Sequence, residues 1–208
     1  MSKARFLVLA AGVVLLLLAG ALLACPQGRC GLLPGDNIGL AAMHALRSPL
    51  LDELMSLLTW AGSIALLLPV SLLFAIHLRR RDRLSLLSAA FMPLAVGSAA
   101  LLAYVTKLAI LRPRPELFPA VIALPPDTSF PSAHALQVAA FATAWVLADS
   151  ALPRKAAWVA AATLVVTVAM SRVYLQVHYP SDVMLGALVG ILWALGLRTL
   201  PPWQGLSR

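Results

Sequence analysis

The chain's 208 residues predict an all-α, integral membrane protein of six transmembrane helices in one domain, 1–208, and three observations carry that prediction. The composition is 61% apolar and only 12% charged, with a mean hydropathy of +0.90, where soluble domains average about 25% charged residues. Six apolar segments stand out, near residues 6–24, 54–78, 84–106, 133–149, 156–172 and 182–200. A helix needs about 20 residues to cross the hydrocarbon core, so six such segments with short loops leave no room for a separate soluble domain. Finally, the cations alternate between segment ends. Ten (Lys3, Arg5, Arg79, Arg80, Arg81, Arg83, Arg154, Lys155, Arg198, Arg208) fall on one side and six (Arg29, Arg47, Lys107, Arg112, Arg114, Arg172) on the other. The positive-inside rule places the richer side, with both termini, in the cytoplasm.

The first segment follows a basic start at residues 1–5 and imitates a signal peptide, and Leu22-Leu23-Ala24-Cys25 imitates a lipoprotein cleavage box. The apolar run over 6–24 exceeds the 7 to 15 residues of a signal core, so it is read as a span. Cys25 and Cys30 are too few for a thiolate metal site. They pair as a local staple if their loop faces an oxidising compartment and stay free thiols if it does not.

Asp36 is placed to cap a short helix running to about Arg47, and Ser48-Pro49 has the form of an N-cap and first helical residue for the next. The short helix either lies along the outer interface, lining lipid access to a site, or is a packed connector. The basic run at residues 79–83 is read as a cytoplasmic topology anchor. Six prolines between residues 113 and 131 exclude a continuous helix and make this the longest outer loop. Gly186 and Gly190 in the last segment form a small-xxx-small pair, explained equally by dimerisation or by packing within the chain.

Chemistry concentrates where polar groups interrupt apolar segments. Residues 171–182 place Arg172, His178 and Asp182 at one membrane edge, between the fifth and sixth segments. Lys107 closes the third segment and is followed by Arg112 and Arg114. One cation at a span end snorkels to the interface; several on the cation-poor side call for an anion. Ser132 and Ala133 open the fourth segment, where free backbone N–H groups make a phosphate seat, and His134 follows directly. Arg forks and a Lys point charge suit a phosphoryl group. A neutral imidazole, His178, can attack phosphorus with the carboxylate of Asp182 fixing its tautomer. His134 can protonate the leaving oxygen and later activate water.

These residues fall into three stretches, 107–115 (Lys-x6-Arg-Pro), 131–134 (Pro-Ser-x-His) and 171–182 (Ser-Arg-x5-His-x3-Asp). In order and spacing they resemble the three signature motifs of the type 2 phosphatidic acid phosphatase (PAP2) family, which shares its helical core with vanadium haloperoxidases. The resemblance implies that Lys107, Arg114 and Arg172 bind phosphate with help from Ser132 and the Ala133 amide. It makes His134 the acid and His178 the nucleophile oriented by Asp182, with no metal and no cofactor. Ala133 stands where the second motif usually has glycine, which puts the contribution of its amide in question.

Two rival classes follow from the same residues. His134, His178 and Asp182 could ligate a metal, but three neighbouring cations repel a divalent ion. An anion-binding protein or transporter would use the cations without turnover, yet six spans show no inverted repeat and transport does not require His178 beside Asp182. Nucleic acid is excluded as a partner, since no basic stripe interleaves with aromatics. The expected substrate is a lipid phosphate or diphosphate with its tail among membrane lipids, met at the outer face of a bacterial inner membrane. The resemblance ranks undecaprenyl diphosphate first, ahead of phosphatidylglycerophosphate, phosphatidic acid and a lipid A phosphate. Selectivity is expected from the loop over residues 116–130.

Overall fold

A computed structural model describes residues 2–82, 84–148 and 153–204. Arg83, Arg208 and the last residue of the segment expected over 133–149 lie outside the described residues. Among those described, all regular structure is helical. In order the helices are α1 (Ser2–Ala24), α2 (Asp36–Ala45), α3 (Pro49–Leu58), α4 (Ile64–Asp82), α5 (Leu86–Ala89), α6 (Phe91–Ile110), α7 (Ala133–Ala148), α8 (Arg154–Tyr174) and α9 (Pro180–Arg198).

Four of these, α1, α6, α8 and α9, are long and apolar enough to cross a membrane. The second expected span is not continuous. Residues Pro49–Gly62 and Ile64–Asp82 are bent by 48° at Ser63 and together count as a fifth. Helix α7 is apolar but has 16 residues, short of the length that spans unaided. Helix length therefore supports four spans, or five with the bent pair taken as one, and the expected six are not established by it.

The short helix α7 is the centre of the bundle, and its composition explains why. Seven of its residues are alanine, and small side chains let backbones approach where lipid removes the hydrophobic driving force for association. One apolar cluster joins Leu136 and Ala140 of α7 to Val13 and Leu17 of α1, Ala99 and Ala103 of α6, and Val189 of α9. Another joins Val138 to Leu67 of α4, Val96 of α6 and Val168 of α8. The Gly186 pair settles onto α7: a Cβ at Gly186 would stand 2.8 Å from the Ser132 carbonyl oxygen, so only glycine permits this crossing. Packing within the chain thus accounts for Gly186.

The connectors follow local chemistry. Cys25 and Cys30 are joined by a disulfide. Ser48 caps α3 as expected, its Oγ accepting the Leu51 N–H at 3.3 Å. Asp36 differs from expectation. Gly35 occupies the cap position of α2, because the Asp36 carboxylate is drawn into the interior by Arg112 and Ser181. Helix α6 runs on past its expected end to Ile110 and stops at Leu111, whose φ of 53° makes a left-handed cap with its N–H on the Lys107 carbonyl at 3.1 Å.

Candidate active site

The starts of α4 and α7, the ends of α6 and α8, and the loops that follow α6 and α8 converge on a cavity of about 120 Å³ lined by Lys107, Arg114, Asp127, Ala133, His134, Arg172 and His178, with Ser63, Ile64, Pro125 and Gln137 completing the wall. Five of the eight expected site residues supply side-chain chemistry there, and Ala133 supplies the start of α7. Its φ is not among the positive ones, so the helix accepts alanine where the family usually has glycine. Ser132 and Asp182 stand behind this lining. Ser132 is buried with its Oγ unpartnered among the described residues, while its N–H donates to the Asp182 carbonyl at 3.2 Å.

His178 is brought in by a reversal of the chain after α8. Gln176 takes φ 59°, its carboxamide held by the Leu40 carbonyl at 3.0 Å, and the Val177 N–H returns to the Arg172 carbonyl at 3.3 Å. The imidazole is 2% exposed. Its Nε2 stands 3.3 Å from Arg114 Nη1. Because a guanidinium only donates, Nε2 is assigned as the acceptor, which puts the ring proton on Nδ1, toward Asp182. Burial first, then the charges of Arg172, Arg114 and Lys107, hold the His178 imidazolium form well below the ordinary histidine range. The ring is therefore neutral at pH 7, with a lone pair on the cavity side.

The Nδ1 to Asp182 Oδ2 distance is 3.5 Å, longer than a hydrogen bond. Nδ1 accordingly has no hydrogen-bond partner among the described residues. Asp182 is instead held by other donors. Arg112 Nη1 approaches Oδ1 at 2.6 Å, and Oδ2 accepts the Tyr179 N–H at 3.1 Å and the Ser129 hydroxyl.

Arg112 belongs to this network and not to the cavity, which corrects its reading as part of the anion-seeking cluster. Its guanidinium also meets Asp36 Oδ2 at 2.9 Å, Ser181 Oγ at 2.9 Å and the Gly31 carbonyl at 2.8 Å, and it lies 4.0 Å over the Tyr179 ring. A cation so buried demands this pairing. Asp36 was legible in sequence only as a cap. An acid embedded in so apolar a chain was itself a signal.

Sequence reasoning also missed Asp127. Its carboxylate pairs with Lys107 Nζ at 3.3 Å and with Arg114 Nη2, while Lys107 also donates to the Thr128 carbonyl. Burial alone would raise the Asp127 carboxyl, but Lys107 and Arg114 outweigh it and hold it below the ordinary carboxylate range. Arg172 takes a different partner, donating from Nη1 to Thr59 Oγ1 at 2.7 Å. Chemically, the cavity presents fixed cations to an anion, one neutral imidazole whose unprotonated Nε2 stands beside Arg114, and a second imidazole, His134, in the same lining.

Known proteins share this arrangement's frame. Phosphatidylglycerophosphatase B of Bacillus subtilis is 32% identical over 158 residues, which cover 71% of this chain and 73% of the relative. The crystal structure of a transmembrane PAP2 type phosphatidylglycerolphosphate phosphatase from Bacillus subtilis superposes with a TM-score of 0.76 at 26% identity, over 93% of this chain and 94% of the other. Aquifex aeolicus LpxE shares the fold, with a TM-score of 0.62 at 24% identity over 77% of this chain and 92% of its own. The pattern of the PAP2 superfamily matches residues 85–206, a stretch that contains the three motifs and every expected site residue. The chain is a membrane protein of the PAP2 superfamily, a hydrolase acting on phosphoric esters.

Proposed function

We propose that this hydrolase removes a phosphate from the head group of a membrane lipid, at the outer face of a bacterial inner membrane, as one domain of six spans with both termini in the cytoplasm. The observation that carries the reading is the convergence of Lys107, Arg114, Arg172, His134 and His178 on one cavity. In the first step His178 Nε2 forms a bond to phosphorus as the bond from phosphorus to the leaving oxygen breaks, and His134 gives that oxygen its proton. In the second, His134 takes a proton from water, the water oxygen bonds to phosphorus, and the bond to Nε2 breaks. Lys107, Arg114 and Arg172 hold the charge on the equatorial oxygens throughout, assisted by the Ala133 amide and Ser132. Asp182 faces the Nδ1–H and stabilises the imidazolium that forms.

The Bacillus subtilis relative and the Bacillus subtilis crystal structure, both named for phosphatidylglycerophosphate, make that lipid the first substrate to test. Undecaprenyl diphosphate is the second reading, favoured by the surplus of three fixed cations over the one carboxylate, Asp127, that lines the cavity with them. The proposed chemistry uses no metal. Among the described residues no three His, Cys, Asp or Glu side chains are grouped to hold one.

The test is phosphate release from purified lipid monophosphates and diphosphates, with and without chelator, by the wild-type chain and by His178→Ala. Release that H178A abolishes and chelator leaves unchanged is the expected result. Undiminished hydrolysis by H178A would sink the phosphohistidine route, and loss of activity in chelator would sink the metal-free one.

A further inference from the structure

The break between α3 and α4 forms a wall of the cavity that none of the three motifs includes. Thr59 opens the break and anchors Arg172 through its hydroxyl at 2.7 Å. Gly62 packs against α7 so closely that a Cβ there would lie 3.0 Å from His134 Cβ and 3.1 Å from the His134 carbonyl oxygen. Ser63 is extended, with φ −75° and ψ 137°, and acts as the cap of α4. Its Oγ accepts the Ala65 N–H at 3.3 Å, and its carbonyl takes the Leu66 and Leu67 N–H groups at 3.0 and 2.9 Å.

That leaves the Ile64 N–H and the Ser63 hydroxyl proton with no acceptor among the described residues, and both residues line the cavity. The start of a 19-residue helix carries partial positive charge and unpaired donors. A second observation also points to a ligand. Arg172 lines the same cavity, is 2% exposed and keeps its Nε without any partner among the described residues.

We propose that Ser63 and Ile64, at the start of α4, form a further phosphate-oxygen seat facing the start of α7, so that the substrate's phosphate head is held between two helix N-termini with Arg172 beside the second. This rests on the reading of the cavity as a phosphate site. The seat takes phosphate oxygens, either those of the transferred group or those of a second phosphate in a diphosphate head.

Proline tests it with little disturbance. At the first helical position proline suits the helix and lacks only the N–H, and the extended Ser63 before it is the conformation proline prefers in its neighbour. Ile64→Pro therefore deletes the donor, and Ile64→Ala controls for the lost side chain, which packs with the α4, α6, α7 and α8 cluster. Binding of orthovanadate and of pyrophosphate to the full-length chain in detergent is read by calorimetry and by thermal shift. I64P is expected to bind about tenfold more weakly than I64A, the scale of one hydrogen bond to a charged group. Loss with both anions places the transferred group in the seat, and loss with pyrophosphate alone places the second phosphate there. Ser63→Ala, which leaves the Ile64 N–H in place, gives the same test through the hydroxyl. Equal binding by I64P and I64A, with S63A matching wild type, overturns the proposal. A wild-type chain that binds neither anion would instead overturn the phosphate-site reading beneath it.

Discussion

Replacing Arg112 with methionine isolates the buried network behind the proposed nucleophile. Methionine fills much of the same volume, so the loss is electrostatic: the guanidinium's bonds to Asp36 at 2.9 Å and Asp182 at 2.6 Å disappear, along with those to Ser181 and Gly31. Both carboxylates are at most 1% exposed. Removing one partner of a buried pair costs about 3–5 kcal/mol. The lower end applies here, because Asp182 keeps Ser129 and the Tyr179 N–H and Asp36 keeps the Ser181 N–H at 2.9 Å. Against a total stability of about 5–15 kcal/mol, R112M should lose a large fraction, read as earlier unfolding in a denaturant titration of the detergent-solubilised chain. The double variant R112M with Asp36→Asn removes one of the stranded charges, so it should be more stable than the sum of the two single changes predicts. Turnover should fall as well, since Asp182 faces His178 from this network. An R112M chain as stable as wild type, with strictly additive behaviour in the double variant, would refute the network's role.

Three further expectations rest on single residues. His178 binds its proton far less readily in the fold than in the unfolded chain, because of burial and then Arg172, Arg114 and Lys107. It costs nothing above about pH 6.5, and below that the unfolded chain takes up a proton the fold refuses, draining up to about 1.4 kcal/mol per pH unit. Thermal unfolding between pH 7.5 and 5 should fall more steeply for wild type than for His178→Gln, and equal slopes would show a solvated ring. Asp127→Asn should tighten orthovanadate binding about fivefold, the ~1 kcal/mol upper end for a half-exposed ion pair, because the carboxylate occupies Lys107 and Arg114. Weaker binding would show Asp127 to be a staple for the two cations. Ala133→Gly should leave turnover within about twofold and cost at most about 1 kcal/mol of stability, since Ala133 has no positive φ to relieve; a severalfold faster enzyme would contradict this.

The cations and histidines of the cavity were legible because an apolar chain gives each polar residue at a span end a high cost, and the motif spacing grouped those that line one cavity. What escaped was set by backbone direction and by distant partners. Arg112 and Arg114 are two residues apart in one proline-rich loop and look equivalent in sequence. The left-handed Leu111 turns the chain so that one faces Asp36, 76 residues away, and the other faces the Val177 carbonyl, 63 residues away. The break at Ser63 was hidden because the apolar run continues through it, and hydropathy reports burial and lipid contact without reporting backbone angle. A serine beside a glycine within such a run is the one local trace, since that pair can both kink a helix and cap its continuation. The span interrupted there lies outside the three motifs, yet it supplies the hydroxyl that fixes Arg172. The phosphate clamp proposed from three motifs thus depends for the position of one of its arginines on a fourth, unmarked stretch.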